Sequence, residues 1–285
     1  MKVKSKAISA VLLVTCIWLV SVTGCSGKDG TTGGDDVTAE NISSRIQSAL
    51  SQLNSYEMGM TMTLEMNGMV DGESGDISVS TVVKGAIDTA EKQLYLDLNG
   101  SVKGEAGTET IDEVTSISTY IIGDDTYIGY TEGAGEMSWQ YQTTSSGTWD
   151  QQQQISQLMG VLDTSVIKTF KSEKIEGTNC YLIELDPEPG VVWSLVQSQM
   201  GPSAGGSDFN NIGNAIKEMT VKYWLVEDSL FFKKANIKMV LDLGAEQMDA
   251  TEGQVHLVAE VTMDFDEHNK GTDIKLPEAA KASKQ

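Results

Sequence analysis

The residue types that most often carry catalysis or bind metals are few and scattered in this chain. The only two histidines are His256 and His268, and neither has a cysteine or another histidine at the spacing of a zinc site or a catalytic triad. No phosphate-loop or dinucleotide glycine pattern accompanies them. We therefore expect a protein that is not an enzyme, needs no cofactor and no metal, and keeps both histidines facing solvent.

Two turns hold clustered carboxylates, at residues 71–76 (DGESGD) and 264–269 (DFDEHN). Neither follows the spacing of a calcium loop with its closing glutamate, so we interpret both as solvated hairpin tips. The net charge of −21 excludes nucleic acid as a partner. Arg45 is the only arginine, which argues against an arginine clamp for phosphate or carboxylate ligands.

One strand-like stretch, residues 55–69 (SYEMGMTMTLEMNGM), carries a series of thioethers on a single face. The apolar members are Met58, Met60, Met62, Leu64 and Met66. Such alternation is typical of a hydrophobic core. Methionine, however, adapts to irregular apolar partners and recurs on surfaces that receive variable hydrophobic ligands. The stripe is therefore open to two interpretations, a packed core or the lining of a site for a lipid or another hydrophobic small molecule.

The other residues that we predict to line such a site lie on later strands and on one covering helix. The strand residues are Leu225, Met239, Leu241, Leu257, Val261 and Met263, and the helix residues are Trp193, Leu195 and Val196. Burial of apolar ligand surface, at about 25 cal/mol per Å², would supply the affinity without covalent chemistry.

The N-terminus has the pattern of a secretion signal, with three lysines among the first six residues and an apolar stretch too short to span a bilayer comfortably. The apolar stretch ends in SVTGC, which resembles the lipobox of bacterial lipoproteins. That resemblance implies a signal peptide at 1–24, lipidation of Cys25, a flexible tether at 25–36 and attachment to the outer side of the cell membrane. An ordinary cleaved signal and an uncleaved anchor are the alternatives.

Cysteine usage fits this interpretation. Cys16 leaves with the signal peptide and Cys25 carries lipid, so Cys180 remains alone and no intramolecular disulfide forms. Cys180 lies in the apolar run GTNCYLIEL, and we expect it to be a small buried hydrophobic residue.

The elements begin with an amphipathic helix that repeats apolar residues at Ile42, Ile46, Leu50 and Leu53, with Thr38 as its N-cap. From Tyr56 the apolar period changes to two, as in antiparallel strands. The predicted strands contain Met58 to Met66; Ile77, Val79 and Thr81; Leu94, Leu96 and Leu98; and the stretches STYIIGD, DTYIGYTE and SWQYQTT.

A polar helical stretch, residues 148–170, then interrupts the strands, and FNNIGNAIKEM at 209–219 forms another short helix. Two long strands follow around the turn at 227–229. Alternation is clearest in residues 254–268, where one face collects Val255, Leu257, Ala259, Val261, Met263 and Phe265. A last short strand precedes Pro277.

The pattern predicts an α+β fold, with one large curved antiparallel sheet, a half-barrel, covered on its concave face by a few helices. No linker divides the chain after residue 36, so residues 37–285 form a single domain.

The organisation resembles the LppX/LprG type of bacterial lipoprotein and the related LolA-like half-barrels. The matching phrases are GDDTYIGYTEGAGEMSWQY, KYWLVEDSLFFKKANIKMVLDL and GTDIKLPEAA. The resemblance implies a monomeric, membrane-anchored half-barrel whose concave face takes lipid acyl chains for transfer or retention at the cell envelope. The alternative is a packed β-rich envelope scaffold or protein-interaction module, which binds an envelope protein and no lipid.

Overall fold

The computed structural model describes residues 36–133, 135–143, 162, 165–188, 190, 215–248 and 250–284. The predicted signal peptide, Cys25 and almost all of the tether lie outside the described residues, as do Trp193, Leu195 and Val196 of the predicted covering helix.

Within the described part of the chain, eleven strands form one antiparallel sheet, and three short helices accompany it. The strands are β1 Ser55–Val70, β2 Glu73–Asp88, β3 Gln93–Ala106, β4 Glu109–Ile122, β5 Asp125–Glu132, β6 Ser138–Thr143, β7 Val166–Ile175, β8 Thr178–Asp186, β9 Ile216–Val226, β10 Phe232–Gly244 and β11 Gly253–Asp266. The helices are α1 Ile42–Leu50, a 3-10 turn at Ala245–Met248 and α2 Glu278–Ala282.

The strand order is β6-β5-β4-β3-β2-β1-β11-β10-β9-β8-β7. The first and last strands of the chain therefore pair at the centre of the sheet, and a meander extends from each side of that pair. The sheet is curved and does not close, which leaves β6 and β7 at its edges. This confirms the large antiparallel sheet of the predicted fold class.

The hairpin between β1 and β2 is tighter than the sequence pattern suggested. Its loop is the dipeptide Asp71 and Gly72, whose φ angles of 51° and 83° are both positive, as a type I′ turn requires. Because the loop takes only two residues, β1 and β2 run longer than predicted and pair from Ser55 to Val70.

The first helix is confirmed, but its N-cap is Asn41 rather than Thr38. The Asn41 side-chain Oδ1 accepts a hydrogen bond from the Thr38 backbone N–H at 2.9 Å, which fixes the approach to the helix. Its apolar face is buried as predicted, with Ile42 and Ile46 fully shielded from solvent.

Three other local predictions are wrong. The residues from Val166 to Phe170 belong to β7 and not to a helix, and those from Ile216 belong to β9, because pairing with β8 and β10 overrides local helical periodicity. The segment 271–277 forms no strand, and α2 follows it. Pro277 has no N–H to offer a ladder, and the segment pairs with none of the eleven strands of the described sheet.

The alternation gives the sheet two faces. We call the inner face the one that carries Met58, Met60 and Met62, and the outer face the opposite one. The buried residues of α1 and of the inner face belong to one large contacting cluster, and a smaller cluster lies toward the hairpin end of β1. No helix in the described residues has the length and apolar character to cross a membrane.

Candidate functional site

The methionine stripe is buried along most of its length. Met58, Met60, Met62 and Leu64 are between 0% and 5% exposed, whereas the intervening Thr61 and Thr63 are exposed on the outer face. The period of two that the sequence showed therefore corresponds directly to the two faces of β1.

Register brings the later strands against the stripe. Met60 lies opposite Met263 on β11, Met62 opposite Val261, and Met66 opposite Leu257. On the next strand, the inner-face partners of β11 include Met239 and Leu241, and Leu225 of β9 lies opposite Phe232. All the strand residues that we predicted to line a site are thus on the inner face, on four neighbouring strands.

These residues divide into two clusters rather than one continuous lining. The larger cluster contains Met58, Met60, Met62, Leu225, Val261 and Met263. The smaller one contains Leu64, Leu241 and Leu257, with Met66 and Met239 half-buried against it. Met219 packs against both clusters. Sequence alternation places a residue on a face but does not say which neighbours it will contact.

The inner face continues past the region that is fully buried. Residues that lie opposite one another on successive strands form a row across the sheet. In the row that starts at Met263 and Met60, the next residues are Val83, Leu98 and Ile117. Val83 is fully buried, Leu98 and Ile117 are half-buried, and Tyr130 at the end of the row is 42% exposed. We did not include this row in the predicted lining, although the alternation around Leu94, Leu96 and Leu98 was visible in the sequence.

Aromatic rings line one end of the larger cluster. Tyr56 meets Phe265 edge-on at 6.1 Å between ring centroids, Phe265 lies 6.1 Å from Phe232, and Phe232 lies 5.2 Å from Tyr223. Tyr223 is 5% exposed, and this burial raises the pKa of its hydroxyl well above its usual range.

The remaining candidate groups lie elsewhere. Cys180 is completely buried, as predicted, and burial raises the pKa of its thiol. His256 Nδ1 lies 2.8 Å from Asp242 Oδ1. His268 does not face solvent as expected; it is half-buried 5.2 Å from the Phe231 ring, and burial lowers its pKa.

The acidic turns have structural partners. Asp71 Oδ1 accepts hydrogen bonds from the Thr251 hydroxyl at 2.7 Å and the Thr251 N–H at 2.8 Å, which ties the β1–β2 hairpin to the start of β11. In the other turn, Asp264 and Asp266 pair with lysines of β10. Among the described residues, no group of three or more His, Cys, Asp or Glu could hold a metal ion.

Two solved structures match the chain at low similarity. One is a DUF1329 family protein from Desulfovibrio piger ATCC 29098, with a TM-score of 0.22, 11% identity and coverage of 85% of this chain and 94% of that one. The other is the translocator domain of the autotransporter NalP from Neisseria meningitidis, with a TM-score of 0.23, 11% identity and coverage of 79% and 95%. No protein with a curated description matches the sequence.

A family match covers nearly the whole described region. The family of unknown function DUF6612 matches residues 38–285, which begin just before α1 and include all eleven strands. This match does not test the narrower resemblance to LppX/LprG lipoproteins, which stays a prediction. Because the family model matches most of its length, the chain belongs to the DUF6612 family.

Proposed function

We propose that this protein is a membrane-anchored, extracytoplasmic lipoprotein that binds the acyl chain of a lipid, or a similar hydrophobic molecule, against its inner face. Cys25 would carry the anchor, and the domain would work as a monomer for transfer or retention at the cell envelope. The ligand would be bound and released unchanged, with no catalytic step.

The observation that carries the proposal is the row from Met263 to Tyr130. It crosses six strands, and its residues change from buried Met60 and Val83, at 2% and 0% exposed, to half-buried Leu98 and Ile117. An apolar face that extends beyond its fully buried part is a surface on which a further apolar group gains from burial. Each methylene buried there contributes about 0.8 kcal/mol.

The composition of the row suits a flexible chain. Thioethers at one end can rearrange around an incoming acyl chain because methionine has three rotatable bonds and no branch. The neighbouring row, from Met62 through Thr81 to Gly100, includes a glycine with no heavy atom closer than 3.8 Å to the position of an added Cβ. An added Cβ there would therefore be in ordinary van der Waals contact, so the space for an acyl chain would come mainly from movement of the methionine side chains.

A second function has its own supporting observation. Met60, Met62 and Met263 are at most 4% exposed, as in a close-packed core. On that account the protein is a packed β-rich envelope scaffold or interaction module, and the methionines only fill space between α1 and the sheet.

Variants in the half-buried part of the row separate the two functions. Leu98→Trp places a large side chain where we expect the acyl chain, at a half-buried position. Val82→Trp is the matched control, because Val82 is 41% exposed on the outer face of the adjacent strand. We expect uptake of a fluorescent fatty acid to fall at least tenfold in Leu98→Trp and to stay unchanged in Val82→Trp. Equal uptake in both variants would contradict the site.

A further inference from the structure

The outer face carries a pocket of about 680 Å³ that the proposed lipid function does not use. It lies between the sheet and the segment 271–277, which we call the C-terminal strap. Glu57 and Gly59 of β1, Lys84 of β2 and Tyr95 of β3 line its floor. The side chains of these residues alternate with those of the inner face, so they lie on the opposite side of the sheet from the methionine side chains, and Met58 and Gly85 also border the pocket.

The strap is held at both ends. At its start, the Gly271 N–H donates a hydrogen bond to the Ser55 hydroxyl at 2.9 Å. Beyond its end, Ala280 of α2 is completely buried, α2 contacts β5 and β6, and the Lys284 ammonium donates to the Asp125 carboxylate. Because the C-terminal strap is held on both sides of the pocket, it forms a fixed roof over it.

The hollow exists because small residues stand among long ones. The register places Glu57, Ala86, Tyr95 and Tyr120 in one row across four strands. In the adjacent row Gly59 lies beside Lys84, and a Cβ added at Gly59 would meet nothing within 4 Å. Gly59 and Ala86 therefore leave space between the side chains that surround them.

One wall of the pocket is aromatic. The rings of Tyr95 and Tyr120 lie 4.8 Å apart with an angle of 34° between their planes, and Trp139 lies 6.0 Å beyond Tyr120. Both tyrosines are half-buried, so part of their surface stays available to a ligand. Aromatic faces are electron-rich and attract C–H groups that carry partial positive charge.

The charges in the pocket are mostly paired. Asp264 lies 3.7 Å from the Lys234 ammonium, Asp266 lies 2.5 Å from that of Lys233, and the strap residue Asp273 pairs with its neighbour Lys275.

Three polar groups remain for a ligand. Within the described part of the chain, the exposed side chains of Glu57 and Lys84 enter no ion pair or side-chain hydrogen bond, and the buried Thr272 Oγ1 atom on the strap has no hydrogen-bond partner. The site thus offers one acceptor, one donor and one hydroxyl group. This balance favours a neutral ligand that both donates and accepts, and the surrounding carboxylates disfavour phosphate or sulfate.

We propose that this pocket binds a neutral saccharide, with the C–H face of a sugar ring against Tyr95 and Tyr120. Its hydroxyl groups would donate to Glu57 and accept from Lys84, and Thr272 Oγ1 would gain the partner it lacks. A disaccharide or trisaccharide matches a volume of about 680 Å³ better than a single small metabolite does. The same chemistry recognises a free sugar and the headgroup of a glycolipid.

The test uses the full-length chain in a detergent whose headgroup contains no sugar. Calorimetry with maltose, cellobiose and N,N′-diacetylchitobiose measures binding of soluble saccharide, and vesicles that contain a galactosyl diacylglycerol measure binding of a headgroup. Gly59→Trp fills the hollow, and Tyr120→Ala removes one aromatic wall. Thr63→Trp is the matched control, because it adds the same side chain to the same face of β1 outside the pocket.

We expect at least one saccharide to bind, with a loss of at least tenfold in Gly59→Trp and in Tyr120→Ala and no change in Thr63→Trp or Tyr120→Phe. Binding to vesicles alone, with the same pattern among the variants, identifies a headgroup as the source. The proposal is overturned if no saccharide binds in either form, or if Gly59→Trp and Tyr120→Ala bind as the wild type does. It is also overturned if a zwitterionic ligand, tested as free tyrosine, binds in preference to every sugar.

Discussion

Met60 of β1 lies directly opposite Met263 of β11, and the two side chains are 2% and 4% exposed. This pair joins the first strand of the sheet to the last at its centre, so the two meanders of the chain depend on one apolar seam. The larger buried cluster surrounds the pair and includes the apolar face of α1.

The neighbouring residue Met62 tests how closely that seam is packed. It has no exposed surface, so Met62→Ala should lower the free energy of unfolding by about 2 to 4 kcal/mol through lost contacts and a residual cavity. The exposed neighbour Thr61→Ala should change the same quantity by no more than about 0.5 kcal/mol. Urea denaturation followed by circular dichroism measures both. A cost below about 1 kcal/mol for Met62→Ala would indicate a loosely packed interior.

Two glycines of the sheet should respond oppositely to alanine. Gly104 has a φ of 153°, and an added Cβ would lie 2.1 Å from the Asp76 carbonyl oxygen. Gly104→Ala should therefore destabilise the fold by about 2 kcal/mol or more. Gly59→Ala should be neutral or stabilising by up to about 1 kcal/mol, because alanine is a better strand residue and the space is open. Similar thermal midpoints for the two variants would contradict this assignment.

The β1–β2 hairpin should loosen when Asp71 loses its carboxylate. Asp71→Ala removes the acceptor for Thr251 and places alanine, which tolerates positive φ less well than aspartate, at a φ of 51°, and together these changes should cost about 1 to 2 kcal/mol. Asp71→Asn keeps an acceptor oxygen and tolerates the same backbone conformation, so it serves as the control. Hydrogen exchange at the Thr251 and Glu252 amides should accelerate only in the alanine variant. Equal protection in both would show that this contact does not fasten the hairpin.

Stability should fall in alkali partly through Tyr95. Burial, with the nearby Asp97 carboxylate and Tyr120, raises the pKa of Tyr95 to about 12, above an ordinary value of about 10. A raised pKa means that the folded state holds this proton more tightly, so the contribution is complete below pH 10 and is lost as the pH rises through about 12.

In Tyr95→Phe that part of the loss should disappear, and the free energy of unfolding should fall less steeply between these pH values. Absorbance at 295 nm follows tyrosine ionisation in the same samples. If the two proteins lose stability in parallel, and Tyr95 titrates near 10, the phenol is not shielded as described.

Residue patterns predicted the faces of the sheet better than its connections. The alternation of β11 placed Val255, Leu257 and Met263 together on the buried face, and all are at most 7% exposed. Alternation shows which residues of one strand share a face but not which strand lies beside it, however, so it did not predict that Met60 would lie opposite Met263. Pairing at the centre of the sheet depends on the whole topology.

The misassigned elements share a related cause. Val166 and Ile216 lie in stretches with helical periodicity. Val166 nevertheless joins the edge strand β7, which pairs with β8, and Ile216 joins β9, which pairs with β8 and β10, so strand pairing decides their conformation. The outer-face pocket was also beyond sequence reasoning, because Tyr95, Gly59 and Thr272 come together only when the strap crosses the sheet.

Native mass spectrometry, followed by organic extraction, tests the proposed lipid site most directly. The sample is a chain that begins at Ser26, purified without detergent, as wild type, Leu98→Trp and the control Val82→Trp. The proposal predicts a co-purifying or added lipid on the wild type and on Val82→Trp, and its loss from Leu98→Trp. A ligand-free mass for the wild type, with no uptake of added lipid, would contradict the lipid site and leave the methionines as the core of a packed scaffold.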